Sequence, residues 1–372
     1  MQKDKRKVIV ELRHELHRYP DLSMREEGTM DILIRFLRRH TSFEIKRKKN
    51  WFYAVRQGRD QARRIAFRAD MDALPIEEAP GLPYASCREG VSHKCGHDGH
   101  CAVLCGLALE LDSMETGKTV YLIFQPGEET GEGAVICKEI IREEGIQEIY
   151  AFHNLPGYQE GAVVYRQGLT QPASEGLKIT LTGKASHASA PEEGCNPAVA
   201  LSRTVLFSSD LAGRPSEEMR LCTVTGMRLG TGDFGISPGT GEVCFTLRAE
   251  READMDSLEK EIVSYAAAQA REFGLTMETS LHDRFPETHN HDVSLSHVLE
   301  AAAGLHLATL PMPKLWRASE DFGYYLKECE GAMFYIGAGE DWPALHTVNY
   351  DFNDNIIEEA VDLFCALVQE QP

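Results

Sequence analysis

The stretch Val120-Tyr121-Leu122-Ile123-Phe124-Gln125-Pro126-Gly127-Glu128-Glu129 runs from five consecutive apolar residues through a turn into a pair of acids. A run this apolar predicts a strand buried on both faces, as in a sheet with helices on each side. Three other runs share the design. Ile65-Ala66-Phe67 leads to Arg68, Asp70 and Asp72; Ile149-Tyr150-Ala151-Phe152 leads to His153; Ala332-Met333-Phe334-Tyr335-Ile336 leads through a glycine-rich loop to His346. Helix-like segments separate them, and two amphipathic helices, broken at Tyr19-Pro20-Asp21, fill the first forty residues. The expected fold is α/β, with a mixed, largely parallel sheet flanked by helices. In such sheets ligands bind beyond the carboxyl ends of the strands, so acids and imidazoles should gather along one sheet edge.

The middle of the chain follows another rhythm. Leu177, Ile179 and Leu181 alternate, 197–211 is helical, and 221–227 and 242–249 read as strands. A long helix over 254–273, with Asp254 as its expected cap, precedes a last strand over 277–281. This is the strand–helix–strand–strand–helix–strand order of a ferredoxin-like α+β unit. The expected division is therefore 1–174 with 287–372 as the larger α/β domain, and 175–286 as an insertion.

With 39 basic and 58 acidic residues the net charge is −19, which repels nucleic acid phosphates and anionic membranes as partners. No run approaches the roughly 20 apolar residues of a membrane span, and no apolar signal core follows Met1. The ten cysteines are read as reduced thiols of a cytoplasmic protein.

Ser92-His93-Lys94-Cys95-Gly96-His97-Asp98-Gly99-His100-Cys101 packs five imidazoles and thiols into ten residues. Cys95 and His97 are two apart, so an extended loop would put both side chains on one side. Thiolate, imidazole and carboxylate together suit zinc, manganese, cobalt or nickel better than magnesium or calcium. The donors exceed the three usual for one open catalytic zinc, and a thiolate can bridge, so two divalent ions are the natural count. The acids Glu128 and Glu129 diverge at a strand exit. One can bind metal while the other faces a metal-activated water, the arrangement for amide hydrolysis. Cys95 as a nucleophile with His97 as its base is the competing reading, but it leaves Glu128, Glu129, His153 and His346 without a role. His93 and His100 are assigned supporting or helix-capping roles. His14, His17, His40, His282, His289, His291, His297 and His306 are assigned to the surface or to packing.

The segments "LHRYPDLSMREEGT", "FRADMDALPIEE", "CGHDGH", "FQPGEETGEGA", "FHNLPG", "GKASHASAPEEGCNPAVAL", "SEDFGYY" and "LHTVNYDF" resemble, nearly end to end, the dinuclear metal-dependent aminoacylases and carboxypeptidases. The matching branch holds hippurate hydrolases, N-acetyldiaminopimelate deacetylases and auxin-conjugate hydrolases. The resemblance implies that Cys95 bridges two ions and that His97, Glu129, His153 and His346 complete the coordination. It makes Glu128 the general base and then the acid, and puts Asp70 behind a ligating imidazole. It makes the insertion a lid and homodimerisation domain, whose His187 stabilises the oxyanion in the partner's active site. Arg248 would grip the substrate. The family's lid usually reads Asn-Val-Ile-Pro, where this chain has Gly235-Ile236-Ser237-Pro238. Glycine supplies no side-chain amide, so an altered substrate preference is expected.

The leading reading is a metal-dependent amidohydrolase acting on N-acyl amino acids or related conjugates. A dipeptidase or carboxypeptidase on the same site is the alternative. A non-catalytic binding protein of the same fold, opposed by the intact Glu128 and donor set, is the second.

Overall fold

The computed structural model describes residues 1–369 except 80, 215 and 217. The contacts divide the chain into two units: residues 1–170, 288–316 and 320–372 form the first, and 171–287 with 317–319 the second.

The first unit is built on an eight-stranded sheet in the order 44–47, 52–56, 118–125, 60–70, 148–156, 330–339, 163–165 and 309–311. Its four inner strands, from Lys118–Gln125 to Glu330–Gly339, run parallel, whereas 44–47 and 52–56 join antiparallel at one edge. Every residue of Lys118–Gln125 is buried, as its unbroken apolar run requires. Two hydrophobic clusters sandwich the sheet. Helices Lys3–Arg18, Glu27–His40, His97–Asp112, Asp292–Gly304 and Ile357–Gln369 contribute Ile9, Leu33, Leu104, Val298 and Phe364 to one. The short helices Gly133–Cys137, Glu139–Glu143 and Gly323–Leu326 contribute Ala134, Ile140 and Tyr325 to the other.

The second unit is a four-stranded antiparallel sheet in the order 220–229, 240–249, 173–182 and 276–285. Numbered along the chain that order is 2-3-1-4, the ferredoxin-like arrangement. Leu177, Ile179, Leu181, Val243, Phe245 and Leu247 face helices Ala198–Ala212 and Glu252–Glu272, where Leu201, Leu258 and Ile262 close the core. Asp254 is not the cap of the long helix. The helix begins at Glu252 behind an extended Arg251, and Asp254 lies inside the first turn, where its charge still favours the helix N-terminus. No helix among the described residues is long and apolar enough to cross a membrane.

Candidate metal centre

The parallel strands deliver their ends in register. Asp70 pairs with Gln125 across two neighbouring strands, and Tyr335 pairs with His153 across two others. Helix His97–Asp112 starts at the same edge. Cys95 and His97 come together by a route other than the expected extended loop. Gly96 takes a left-handed conformation, φ 100°, and the helix begins at the next residue. A Cβ at Gly96 would come within 2.4 Å of Asn154 Oδ1 and 2.7 Å of Tyr350 Oη, so no other residue fits this reversal without displacing its neighbours.

Among the described residues five groups of possible ligands result, and two of them contain Cys95. One ligand atom each from Cys95, His97 and His153 lie within 4.8 Å of one another, and so do those from Cys95, Glu129 and His346. Cys95 belongs to both groups, and its Sγ stands 3.4 Å from His153 Nε2. The imidazoles are oriented for ligation. His153 Nδ1 donates to the Asn154 carbonyl at 2.8 Å, leaving Nε2 with its lone pair toward the thiol. His97 Nδ1 is held by the Asp72 carbonyl at 2.9 Å and Asp72 Oδ1 at 3.1 Å. Its buried Nε2 has no hydrogen-bond partner and lies 3.8 Å from Glu129 Oε1 and 4.0 Å from Glu128 Oε2. His346 also has a left-handed backbone, φ 60°, with its N–H on the Lys94 carbonyl at 2.7 Å and its Nε2 3.3 Å from Glu129 Oε1.

The electrostatics suit a cation at this edge. Burial, Glu129 and Glu128 push the Cys95 thiol far up. Burial, Glu320 and Glu129 do the same to the Glu128 carboxyl. Burial opposes a charge on His97, yet Asp70, Asp72 and Glu129 raise it to about 10. A dry cluster of acids that forces protons onto its own members is one that a divalent cation would relieve. With soft and borderline donors and an orphaned imidazole nitrogen, the residues suit transition-metal binding.

Behind the donors lies a shell that was only partly foreseen. Asp70, expected behind a ligating imidazole, bonds His100 Nδ1 at 2.6 Å and Arg68 at 2.7 Å, while Asp72 takes the His97 side. His100 passes the link on to Asn154 Oδ1 at 2.6 Å. Arg68 also pairs with Glu320 and Asp321 beside Glu128. His17, assigned to the surface or to packing, belongs to the interior. It is fully buried, with Nδ1 2.8 Å from Asp98 Oδ2 and Nε2 2.7 Å from Glu78 Oε1. Lys94, also buried, meets Glu78 and the Tyr350 carbonyl, so this ion network underlies the Cys95 loop. His93 is buried with neither ring nitrogen bonded, and burial lowers it to about 4.

His187 and Arg248 lie in the second unit. His187 is exposed on a two-residue ribbon opposite Ile236, and its Nδ1 accepts the Ser189 N–H at 3.2 Å. Gly235 belongs to the same ribbon, because its carbonyl accepts the Ala188 N–H at 3.0 Å. Arg248 is half-buried and donates to the Arg317 carbonyl at 2.9 Å and Ser319 Oγ at 3.0 Å.

Residues 66–370 match the peptidase family M20/M25/M40, and the chain belongs to that family. It is 31% identical to an N-acetyl-L-cysteine deacetylase of Bacillus subtilis, over 90% of this chain and 81% of the relative. It is 29% identical to an N-acetyldiaminopimelate deacetylase of Halalkalibacterium halodurans, over 95% and 96%. Among solved structures it is similar to a dinuclear metal-binding M20 peptidase of Bacillus subtilis. There the TM-score is 0.82, at 26% identity over 99% of this chain and 98% of the other.

Proposed function

We propose that this member of the M20/M25/M40 family is a metal-dependent amidohydrolase that cleaves N-acyl amino acids or related conjugates to a carboxylate and an amine. The observation that carries the reading is the pair of donor groups meeting at Cys95, with Glu128 at their side. In this reading two divalent ions, zinc, manganese, cobalt or nickel, would be held with Cys95 among their ligands. His97, Glu129, His153 and His346 complete their coordination, with Asp70 and Asp72 behind them. Bound there, the ions supply Lewis acidity toward the scissile carbonyl and a water of lowered pKa.

Glu128 takes a proton from the attacking water as its oxygen bonds to the carbonyl carbon. It then gives that proton to the leaving nitrogen as the C–N bond breaks. The partner subunit's His187 donates to the carbonyl oxygen as it gains negative charge. The Ser189 N–H on Nδ1 supports this, because a nitrogen that accepts leaves Nε2 as the ring's donor. Arg248 binds the substrate's carboxylate, and Gly235 shifts preference away from ordinary N-acetyl amino acids. The second unit serves as the lid through which a cytoplasmic homodimer forms. The two deacetylase relatives support an N-acyl substrate over a dipeptide.

The test is hydrolysis of a panel of N-acetyl, N-benzoyl and longer N-acyl amino acids with a few dipeptides, read by mass spectrometry. Chelated protein is compared with and without manganese, zinc or cobalt. Metal-restored cleavage of an N-acyl member is expected, and Glu128→Gln should keep its metal and lose turnover. No cleavage under any metal, with two ions bound per chain, overturns the proposal.

A further inference from the structure

The turn Pro126-Gly127-Glu128-Glu129 carries both the proposed base and a proposed ligand, and its two halves are held by different hands. On the Glu129 side, its backbone N–H donates to Asp72 Oδ2 at 3.0 Å. That oxygen also takes the Ser23 hydroxyl at 2.7 Å, while Asp72 Oδ1 holds His97. On the Glu128 side, the Gly127 N–H donates to Glu26 Oε1 at 2.7 Å. The same Glu26 oxygen accepts the Met24 N–H at 2.8 Å. Glu26 is 1% exposed and heads helix Glu27–His40, so its carboxyl sits on a rigid element.

Two further observations make this a built brace. Met24 has a left-handed backbone, φ 64°, which a residue with a side chain adopts only under constraint from its surroundings. Its sulfur is pressed against the turn: a Cβ at Gly127 would lie 2.6 Å from Met24 Sδ. The segment 23–26 thus touches the turn through a hydroxyl-bound aspartate, a sulfur and a buried carboxyl. None of these groups belongs to the proposed donor set.

We propose that Glu26 is a positioning residue for Glu128: by joining the N–H groups of Gly127 and Met24 on one buried oxygen, it fixes the turn from which the base projects. The inference rests on the reading of Glu128 as the base. Misplacing a reacting group by about 1 Å costs about a hundredfold in rate, so a brace one residue away has leverage on kcat. Because Asp72 holds Glu129 by a separate hydrogen bond, loss of the Glu26 contact should spare the metal. Burial and the neighbouring Asp72 push the Glu26 carboxyl up to about 8, so glutamine, which keeps an accepting oxygen, is its close mimic near neutral pH.

The experiment uses the metal-loaded full chain and an N-acyl amino acid that the wild-type protein cleaves. It measures kcat, KM, metal per chain after a chelator challenge, and the unfolding midpoint for Glu26→Ala, Glu26→Gln, Glu26→Asp and Glu128→Gln. Glu26→Ala should lower kcat at least tenfold, with KM within threefold and metal content unchanged, and Glu26→Gln should stay within threefold of wild type. If the alanine variant does not fold, Glu26→Asp carries the test, because it keeps the carboxyl and draws the oxygen back by one methylene; its kcat should fall with KM held. Unchanged kcat in the alanine or aspartate variant, a glutamine variant as impaired as alanine, or a kcat loss in step with metal loss overturns the inference. Full turnover by Glu128→Gln removes the underlying reading instead. A dead Glu128→Gln beside a fully active Glu26→Ala removes only the role of Glu26.

Discussion

His17 offers a test of whether the ion network beneath the Cys95 loop is charged. Burial disfavours its cation, but hydrogen bonds to Asp98 and Glu78 raise it from 6.5 to about 9. Glu78 moves in the complementary direction. Burial opposes its charge, and His17 and Lys94 lower it to about 2. A histidine held more basic in the folded than in the unfolded chain adds stability that is complete below its unfolded value and lost as pH rises through the folded one. The window for His17 therefore runs from about 6.5 to about 9, and the term is worth about 3 kcal/mol at about 1.4 kcal/mol per tenfold change in proton affinity. Glutamine at position 17 can still hydrogen-bond but cannot titrate. The stability advantage of wild type over His17→Gln should shrink by about 3 kcal/mol between about pH 6 and about pH 10. Urea unfolding of chelated protein, followed by tryptophan fluorescence, measures it. Trp51, Trp316 and Trp342 all lie in the first unit, so the signal reports on the unit that contains the network. A gap that stays constant across that range would mean that His17 is neutral and the network is held by hydrogen bonds alone.

Three other outcomes are expected. Cys95→Ala should lower bound metal by at least one ion per chain by elemental analysis, and unchanged content would refute the shared ligand. Gly96→Ala should weaken metal binding at least tenfold, because its Cβ meets Asn154 and Tyr350 and its φ is left-handed; calorimetric titration of the chelated protein decides this. Phe245→Ala should cost the second unit about 3–5 kcal/mol by far-ultraviolet circular dichroism, since Phe245 is 1% exposed in that unit's core.

What could be read from the sequence follows a physical divide. The inner strands were legible because burial on both faces leaves an unbroken apolar run, as in Val120-Tyr121-Leu122-Ile123-Phe124. The second unit's strands were legible because one buried face leaves alternation, as in Leu177, Ile179 and Leu181. Cys95, His97, Glu128, Glu129, His153 and His346 were noticed because they follow such runs or crowd a glycine turn, and the fold brings them together. Their supports were hidden. Asp70 and Asp72 are indistinguishable in Asp-Met-Asp until strand direction shows which one faces His97. His17 looks like any helical histidine, and only contacts 61 and 81 residues away along the chain make it part of an ion network. The pairing of Cys95 with His97 was expected for the wrong local reason, because a left-handed glycine leaves no mark on residue spacing. The strands Val163–Tyr165 and Thr309–Pro311, three residues each, are too short for any periodicity to register.

The strand order of the first unit has a consequence for how the chain emerges from the ribosome. Strand Glu330–Gly339 lies between Glu148–Pro156 and Val163–Tyr165 in the sheet, yet it is synthesised after the whole second unit. Until then Glu148–Pro156 has an open edge, and the helix Ile357–Gln369 that covers part of one face does not yet exist. The second unit, nearly continuous from 171 to 287, can close first. A nascent chain arrested near residue 320 should therefore protect the second unit from protease while the first remains cleavable. Because His346 follows that late strand, the donor set proposed for the ions cannot assemble until the whole second unit and strand Glu330–Gly339 have been made.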